Sequence, residues 1–264
     1  MAHLQQQIFV RDILKLIHDS NFQLASVLEF GSYDRDGSVR KLFDDNFFYL
    51  GVDIVSGPAV DLVYDGKNLN LNRNFSICIA CEVFEHDINW VNTFRNMINY
   101  SEEGGLVLFT CASKGRVEHG TPRSVSKIKS LKHIVFSNYY KNLSAKEFEK
   151  NFNLDLIFKE YFFYYHDKSQ DLYFFGVKHS NDPQTNFNFE NFIENLKINL
   201  LINEKKLETS KNSLLGLLKK FFNFIDLPVR KALLIGKNEK LYQNYMVSKF
   251  RIKDFLKRKI LRKI

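Results

Sequence analysis

Five short apolar runs recur between residues 24 and 113, most of them closing on small or acidic residues: "ASVLEFG", "FFYLGVDI", "AVDLVYDG", "FSICIACEVFEH" and "GGLVLFTCAS". Runs of this length, rich in Val, Ile, Leu and Phe and short of polar alternation, read as strands covered on both faces. Helical spacing appears around them: in "IFVRDILKLIH" ahead of the first, in "GSVRKLFDD" after it with Ser38 near the start, and in "INWVNTFRNMINY" before the fifth. Strands alternating with helices imply βαβ units and a parallel sheet. The polar stretch over residues 113–140 is long for a connection and is a candidate lid or substrate loop. Beyond it, "SAKEFEKNF" carries Ser144 and Glu147 at capping-box spacing. "LDLIFKEYFFYY" and "DLYFFGVKH", joined by residues 166–170, then read as an antiparallel hairpin. The expected fold is α/β: a mostly parallel sheet closed by that hairpin.

Charge divides the chain. Of its 38 Lys and Arg, 17 lie from Lys205 onward, opposed there by only a few Asp and Glu, whereas the rest of the chain is net acidic. We therefore expect a body over residues 1–182 and a basic, amphipathic, helical extension over 183–264. The extension alternates Lys and Arg with Phe, Leu and Ile. That pattern suits packing on the body or on a protein partner, peripheral contact with an anionic inner-membrane surface, or phosphate contact. No zinc-ligand spacing or RNA-binding consensus supports nucleic acid. An apolar fraction of 45% excludes global disorder. There is no signal-peptide layout at the N-terminus and no run of about 18 apolar residues. Cys78 and Cys81 show CxxC spacing, but inside a strand, where positions i and i+3 face opposite sides. With Cys111 they read as buried thiols in a reducing cytoplasm, and no metal is expected.

The stretch "VLEFGSYDRDGSVRKLF" places an acid, two glycines and two serines between a strand and a helix-like run. A turn at the carboxyl end of a parallel strand is where open α/β sheets bind ligands. Gly31 and Gly37 permit tight turning and close backbone approach, and a following helix start would favour a negative group. The pattern is not G-x-G-x-x-G and lacks the phosphate-loop lysine. Instead Glu29 suits a cationic group. Asp53, ending the second strand, suits ribose hydroxyls, and Asp65, ending the third, suits an exocyclic amine. A ligand combining sulfonium, ammonium, ribose and adenine is S-adenosylmethionine.

In this order, "VLEFGSYDRDGSVRKLF", "YLGVDI", "GPAVDLVYDG", "CEVFEH" and "GGLVLFT" resemble class I S-adenosylmethionine-dependent methyltransferases over roughly residues 20–180. The likeness is closest to a branch with an E-x-G-S loop, often met near sugar and surface-polysaccharide biosynthesis. The resemblance implies a Rossmann-like, doubly wound sheet. It implies that Glu29, Gly31 and Ser32, with Tyr33 and Gly37 in the same loop, line the methionine moiety. Asp53 and Ile54 would hold ribose and flank adenine, Asp65 and Gly66 would lie by the adenine edge, and Cys81 and Glu82 would face the amino-acid end. Gly31-Ser32-Tyr33 departs from the glycine-x-glycine core of the commonest loop.

The plainer roles stay open beside these: Glu29 as a turn cap, Asp65-Gly66 as a turn pair, Glu85-His86 as a structural hydrogen bond. Transfer to oxygen needs a base. His119 in "RVEHGTPR" is the first candidate and His86 the second, with Tyr139 and Tyr140 as candidate walls of the acceptor pocket. The expected function is methylation of a small molecule or glycan at oxygen. An RNA methyltransferase using the basic tail and a catalytically inactive methyltransferase-like scaffold are the alternatives.

Overall fold

The computed structural model describes residues 2–18, 24–35, 37–124, 138–181, 189–209, 226–234 and 238–261. Its centre is a seven-stranded sheet. The strands are β1 (Ser26–Phe30), β2 (Phe48–Asp53), β3 (Leu62–Val63), β4 (Phe75–Cys81), β5 (Ser101–Ala112), β6 (Phe158–His166) and β7 (Asp171–Lys178). They lie in the order β3-β2-β1-β4-β5-β7-β6. β1 to β5 pair parallel, while β7 lies antiparallel to both β5 and β6. This is the expected architecture: a Rossmann-like, mostly parallel sheet ending in an antiparallel hairpin.

Strand parity builds two cores. Leu28 and Phe30 of β1 join Cys78 and Ala80 of β4 on one face, covered by Trp90, Phe94 and Met97 of α2 (Trp90–Tyr100) and Phe148 of α3 (Ala145–Asn151). Val27, Ile77, Ile79 and Cys81 face the other way, under Phe9, Val10, Ile13 and Ile17 of α1 (Leu4–His18). The CxxC pair is thus split between faces, and all three thiols are free and buried. The phenylalanine-rich composition has a structural use on the first face. Phe109 of β5 stacks on Phe148 at 4.5 Å and on Phe174 of β7 at 4.9 Å, arrangements that add to simple area burial. At the start of α3, Glu147 Oε2 accepts from the Ser144 N–H at 2.9 Å, completing the expected capping box.

Several local expectations are corrected. "GSVRKLFDD" forms only a single 3-10 turn, Arg40–Leu42. Phe43 packs edge-on against Phe47 and Tyr49 and ends it in extended backbone. Among the described residues no α-helix starts between β1 and β2, and the anion-binding argument lapses there. The third strand shrinks to two residues, and Leu154–Ile157 is a helical turn, α4, rather than strand.

Beyond the compositional break, described residues of the extension pack on the body. α5 (Phe189–Thr209) lays Phe192, Leu196 and Leu200 into the second core, and Asn203 donates to Asp12 at 2.9 Å. Helix α6 covers 226–234 and α7 covers Glu239–Leu261. Phe250, Ile252 and Phe255 of α7 are exposed. Most of the apolar-basic stretch "LLGLLKKFFNFIDLP" and residues 125–137 of the expected lid lie outside the described residues. No described helix is long and apolar enough to cross a membrane.

Candidate active site

A cleft of about 380 Å³ opens at the carboxyl ends of β1, β2 and β4. Eight of the expected residues line it: Gly31, Asp53, Ile54, Asp65, Gly66, Glu82, His86 and His119. Gly31 is required there. Its φ is +74°, and a Cβ would lie 2.3 Å from Val83 Cγ2. Asp53 accepts the backbone N–H of Tyr33 at 3.1 Å and of Val55 at 3.2 Å. It thereby ties the loop after β1 to the tip of β2. Asp65 caps the 3-10 turn Gly66–Asn68 through the Lys67 N–H and pairs with Lys67 Nζ at 3.0 Å. The turn-pair role and a place in the cleft therefore coexist in Asp65.

Five expected residues are elsewhere. Glu29 points to the α1 face with Val27, by strand parity, and its Oε2 accepts from Tyr49 Oη at 2.7 Å. Burial raises its pKa from 4.5 to about 7. Cys81 faces the same core. Ser32 is turned toward Gly51, where an added Cβ would come within 2.7 Å of the Ser32 Oγ. Tyr33 lies over Gly57. Gly37 accepts the Ala2 N–H and docks the N-terminus rather than a ligand. The group of three converging carboxylates is Asp53, Asp65 and Glu82, not one containing Glu29.

Glu82 owes its place to an uncommon backbone. It is one of three non-glycine residues at positive φ (57°) among the described residues, a conformation that the surrounding structure must hold in place. Thr110 Oγ1 donates to its Oε1 at 3.1 Å. The rim also holds apolar residues that interior packing leaves unburied: Ile54 (61% exposed), Ile88 (69%) and Tyr64 (44%). Ile88, Tyr64 and His3, which also lines the cleft, carry no motif. They are legible only as residues lying just past strand or turn ends and, for His3, not at all.

The far end of the cleft is chemically different. Glu85 and Asp171 are fully buried and Glu82 nearly so. Arg116 reaches Asp171 at 3.5 Å and Glu82 at 4.0 Å. Burial and the neighbouring Glu82 carboxylate push the Glu85 and Asp171 carboxyls well above their ordinary range. His86 and His119 meet edge to face at 5.0 Å, with Tyr140 packed behind them 5.4 and 5.1 Å from each; Tyr139 and Tyr140 are not among the cleft-lining residues. The His119 ring Nδ1 lies 3.1 Å from the Val117 carbonyl oxygen. A carbonyl only accepts, so Nδ1 carries the proton and Nε2 carries the lone pair. Burial lowers both histidines, His86 to about 3 with the His119 charge second among the causes. At His86 that makes proton uptake near neutral pH unfavourable and weakens it as a general base.

No protein-family model matches the chain, and no curated protein does. Solved structures do. An S-adenosylmethionine-dependent methyltransferase from Clostridium acetobutylicum ATCC 824 aligns at 14% identity and TM-score 0.48, over 69% of this chain and 93% of that one. The N-methyltransferase NodS from Bradyrhizobium japonicum WM9, in complex with S-adenosylhomocysteine, aligns at 11% and 0.44, over 67% and 89%. The plantazolicin methyltransferase BpumL, in complex with the same product, aligns at 12% and 0.48, over 67% and 85%. All three are methyltransferases, each under 15% identical to this chain and below a TM-score of 0.5.

Proposed function

We propose that this protein is an S-adenosylmethionine-dependent methyltransferase acting on a small molecule or glycan, with oxygen as the acceptor atom. The observation that carries the reading is the convergence of Asp53, Asp65 and Glu82 on one cleft floored by Gly31. The donor set fits the cofactor. Asp53 offers carboxylate oxygens to vicinal hydroxyls, and Ile54, Tyr64 and Ile88 offer apolar surface to a flat base. Glu82 Oε2, 4.0 Å from the Arg116 guanidinium, accepts no hydrogen bond, and its remaining acceptor capacity suits an ammonium group. When bound, the cofactor would supply an electrophilic methyl group on a good leaving group, a sulfonium.

What remains for the chain is positioning and proton removal. His86 and His119, backed by Tyr140, form the end of the cleft where an acceptor hydroxyl would stand. An imidazole nitrogen with a free lone pair there can take a proton or hold a cation, and either favours loss of the hydroxyl proton. Calorimetric titration with S-adenosylhomocysteine tests the reading. We expect one site per chain, weakened about 10- to 100-fold by Asp53→Ala, as for loss of hydrogen bonds to a charged group. Absence of binding by the unaltered protein would overturn it. Transfer of labelled methyl to sugar nucleotides but not to RNA would then separate the glycan reading from the RNA alternative.

A further inference from the structure

The geometry points to a divalent transition-metal site formed by Glu85, His86 and His119 at the acceptor end of the cleft. One carboxylate oxygen and one nitrogen from each ring lie within 4.8 Å of one another. His119 Nε2 is 4.0 Å from Glu85 Oε1. Tetrahedral ligands at the usual length of about 2.0–2.2 Å lie about 3.4 Å apart, so these two atoms would close by roughly 0.6 Å around an ion. Two imidazoles and one carboxylate favour zinc, manganese, iron or cobalt over magnesium or calcium, which prefer oxygen donors alone.

Three independent features support an ion over a structural cluster. First, Glu85 is fully buried, yet neither carboxylate oxygen accepts a hydrogen bond. A buried carboxylate without donors is costly unless a cation meets it. Second, Arg116 is engaged by Asp171 and Glu82, so it is shared among carboxylates that outnumber it. Third, the Nδ1–H of His119 is already spent on the Val117 carbonyl. A metal-bound histidine characteristically uses its other ring nitrogen in this way, which fixes the tautomer and aims the lone pair.

Three protein ligands leave coordination positions open toward the cleft. Resting here on the methyltransferase reading, the inference makes the acceptor an oxygen compound whose hydroxyl enters one of those positions. There the ion lowers the hydroxyl's pKa, and its proton passes to solvent water before the methyl is transferred. His119 is then a ligand rather than a base.

The test uses full-length, tag-free protein stripped with a chelator and titrated with Zn²⁺, Mn²⁺ or Co²⁺ alone. We expect about one equivalent bound by at least one of these ions, and with Co²⁺ a visible d–d spectrum distinct from that of the aquo ion. His119→Ala and Glu85→Gln should each weaken binding at least 10-fold. His119 lies on a loop with its side chain 34% exposed, so its loss should leave the fold intact, as circular dichroism would report. Asp53→Ala should leave metal binding unchanged while S-adenosylhomocysteine binding falls. No stoichiometric metal uptake and an unshifted Co²⁺ spectrum would overturn the site, as would uptake indifferent to both ligand substitutions. Metal uptake without nucleoside binding would leave the site standing and remove the methyltransferase reading; nucleoside binding without metal would do the reverse.

Discussion

The two ends of the cleft use carboxylates in opposite ways. At the β2–β3 end, Asp53 and Asp65 are half-buried or exposed at the rim, and local backbone N–H groups or a lysine satisfy them. At the β4–β5 end, Glu85 and Asp171 are sealed from water, and Glu82 is nearly buried on the cleft wall; Arg116 reaches Asp171 and Glu82. An accessible carboxylate costs little to ionise and is ready to accept hydrogen bonds from a neutral ligand. A sealed one must be neutralised by a proton, a cation or a partner. The first end is therefore built to bind hydroxyls, and the second to manage charge.

Removing Arg116, which pairs with Asp171 and Glu82, should give the largest effect. Arg116→Met leaves Asp171 and Glu82 without their guanidinium, and breaking a buried pair from one side typically costs about 3–5 kcal/mol. The carboxyl pKa values are already raised in the fold. Native protein therefore holds protons that the unfolded chain has released, and stability falls as pH rises. The variant's deficit should be widest at alkaline pH and shrink in acid. Denaturant melts of both proteins across pH check this. A deficit that does not change with pH would mean that packing by the arginine stem, not charge, holds this end together.

Glu29 tests the same contrast on a carboxylate outside the cleft. Its pKa of about 7 against 4.5 means that the native state keeps a proton over that window. At about 1.4 kcal/mol per unit, Glu29 costs on the order of 3 kcal/mol of stability as pH rises from about 4.5 through about 7. Glu29→Gln should remove that loss, so the variant should be more stable than the parent at pH 8 and nearly equal to it at pH 4. The difference between the two stability curves isolates Glu29 from Glu85 and Asp171. Because Glu29 faces α1, S-adenosylhomocysteine affinity should not change. A large fall in that affinity would return Glu29 to the methionine end.

These residues also show what could be read from the chain. Strand tips are local, so Gly31, Asp53, Asp65 and Glu82 could be placed at the cleft from short apolar runs and what ends them. Period-two alternation likewise separates Glu29 from Phe30. It does not reveal which face the cleft adjoins, and that is why Glu29 was misplaced. The connection after β1 misled for another reason. "GSVRKLFDD" has helical spacing, but aromatic packing among Phe43, Phe47 and Tyr49 outweighs propensity. The meeting of His119 with Glu85, and the restraint of its loop from residues more than 120 positions away, depend on tertiary packing that no local pattern encodes.

That restraint gives the smallest effect and the finest division between the two ends. Gln243 of α7 donates to the Arg116 carbonyl at 2.7 Å and accepts the Glu118 N–H at 2.8 Å. Beside it, Tyr242 donates to the Gly115 carbonyl at 2.6 Å. The basic helix is thus clamped along the loop that carries His119 by Tyr242 and Gln243, with Arg251 adding a bond to the Arg123 carbonyl at 3.0 Å farther along. Gln243→Ala should cost about 1–2 kcal/mol, the price of leaving the Glu118 N–H unpaired, and should speed amide exchange at Glu118 about 10-fold. S-adenosylhomocysteine affinity should hold, because Asp53 and Gly31 lie across the cleft, while metal affinity should fall a few-fold as His119 loses its fixed aim. Equal losses of both would mean that the two ends of the cleft respond as one unit and that α7 supports the whole site rather than its charged end.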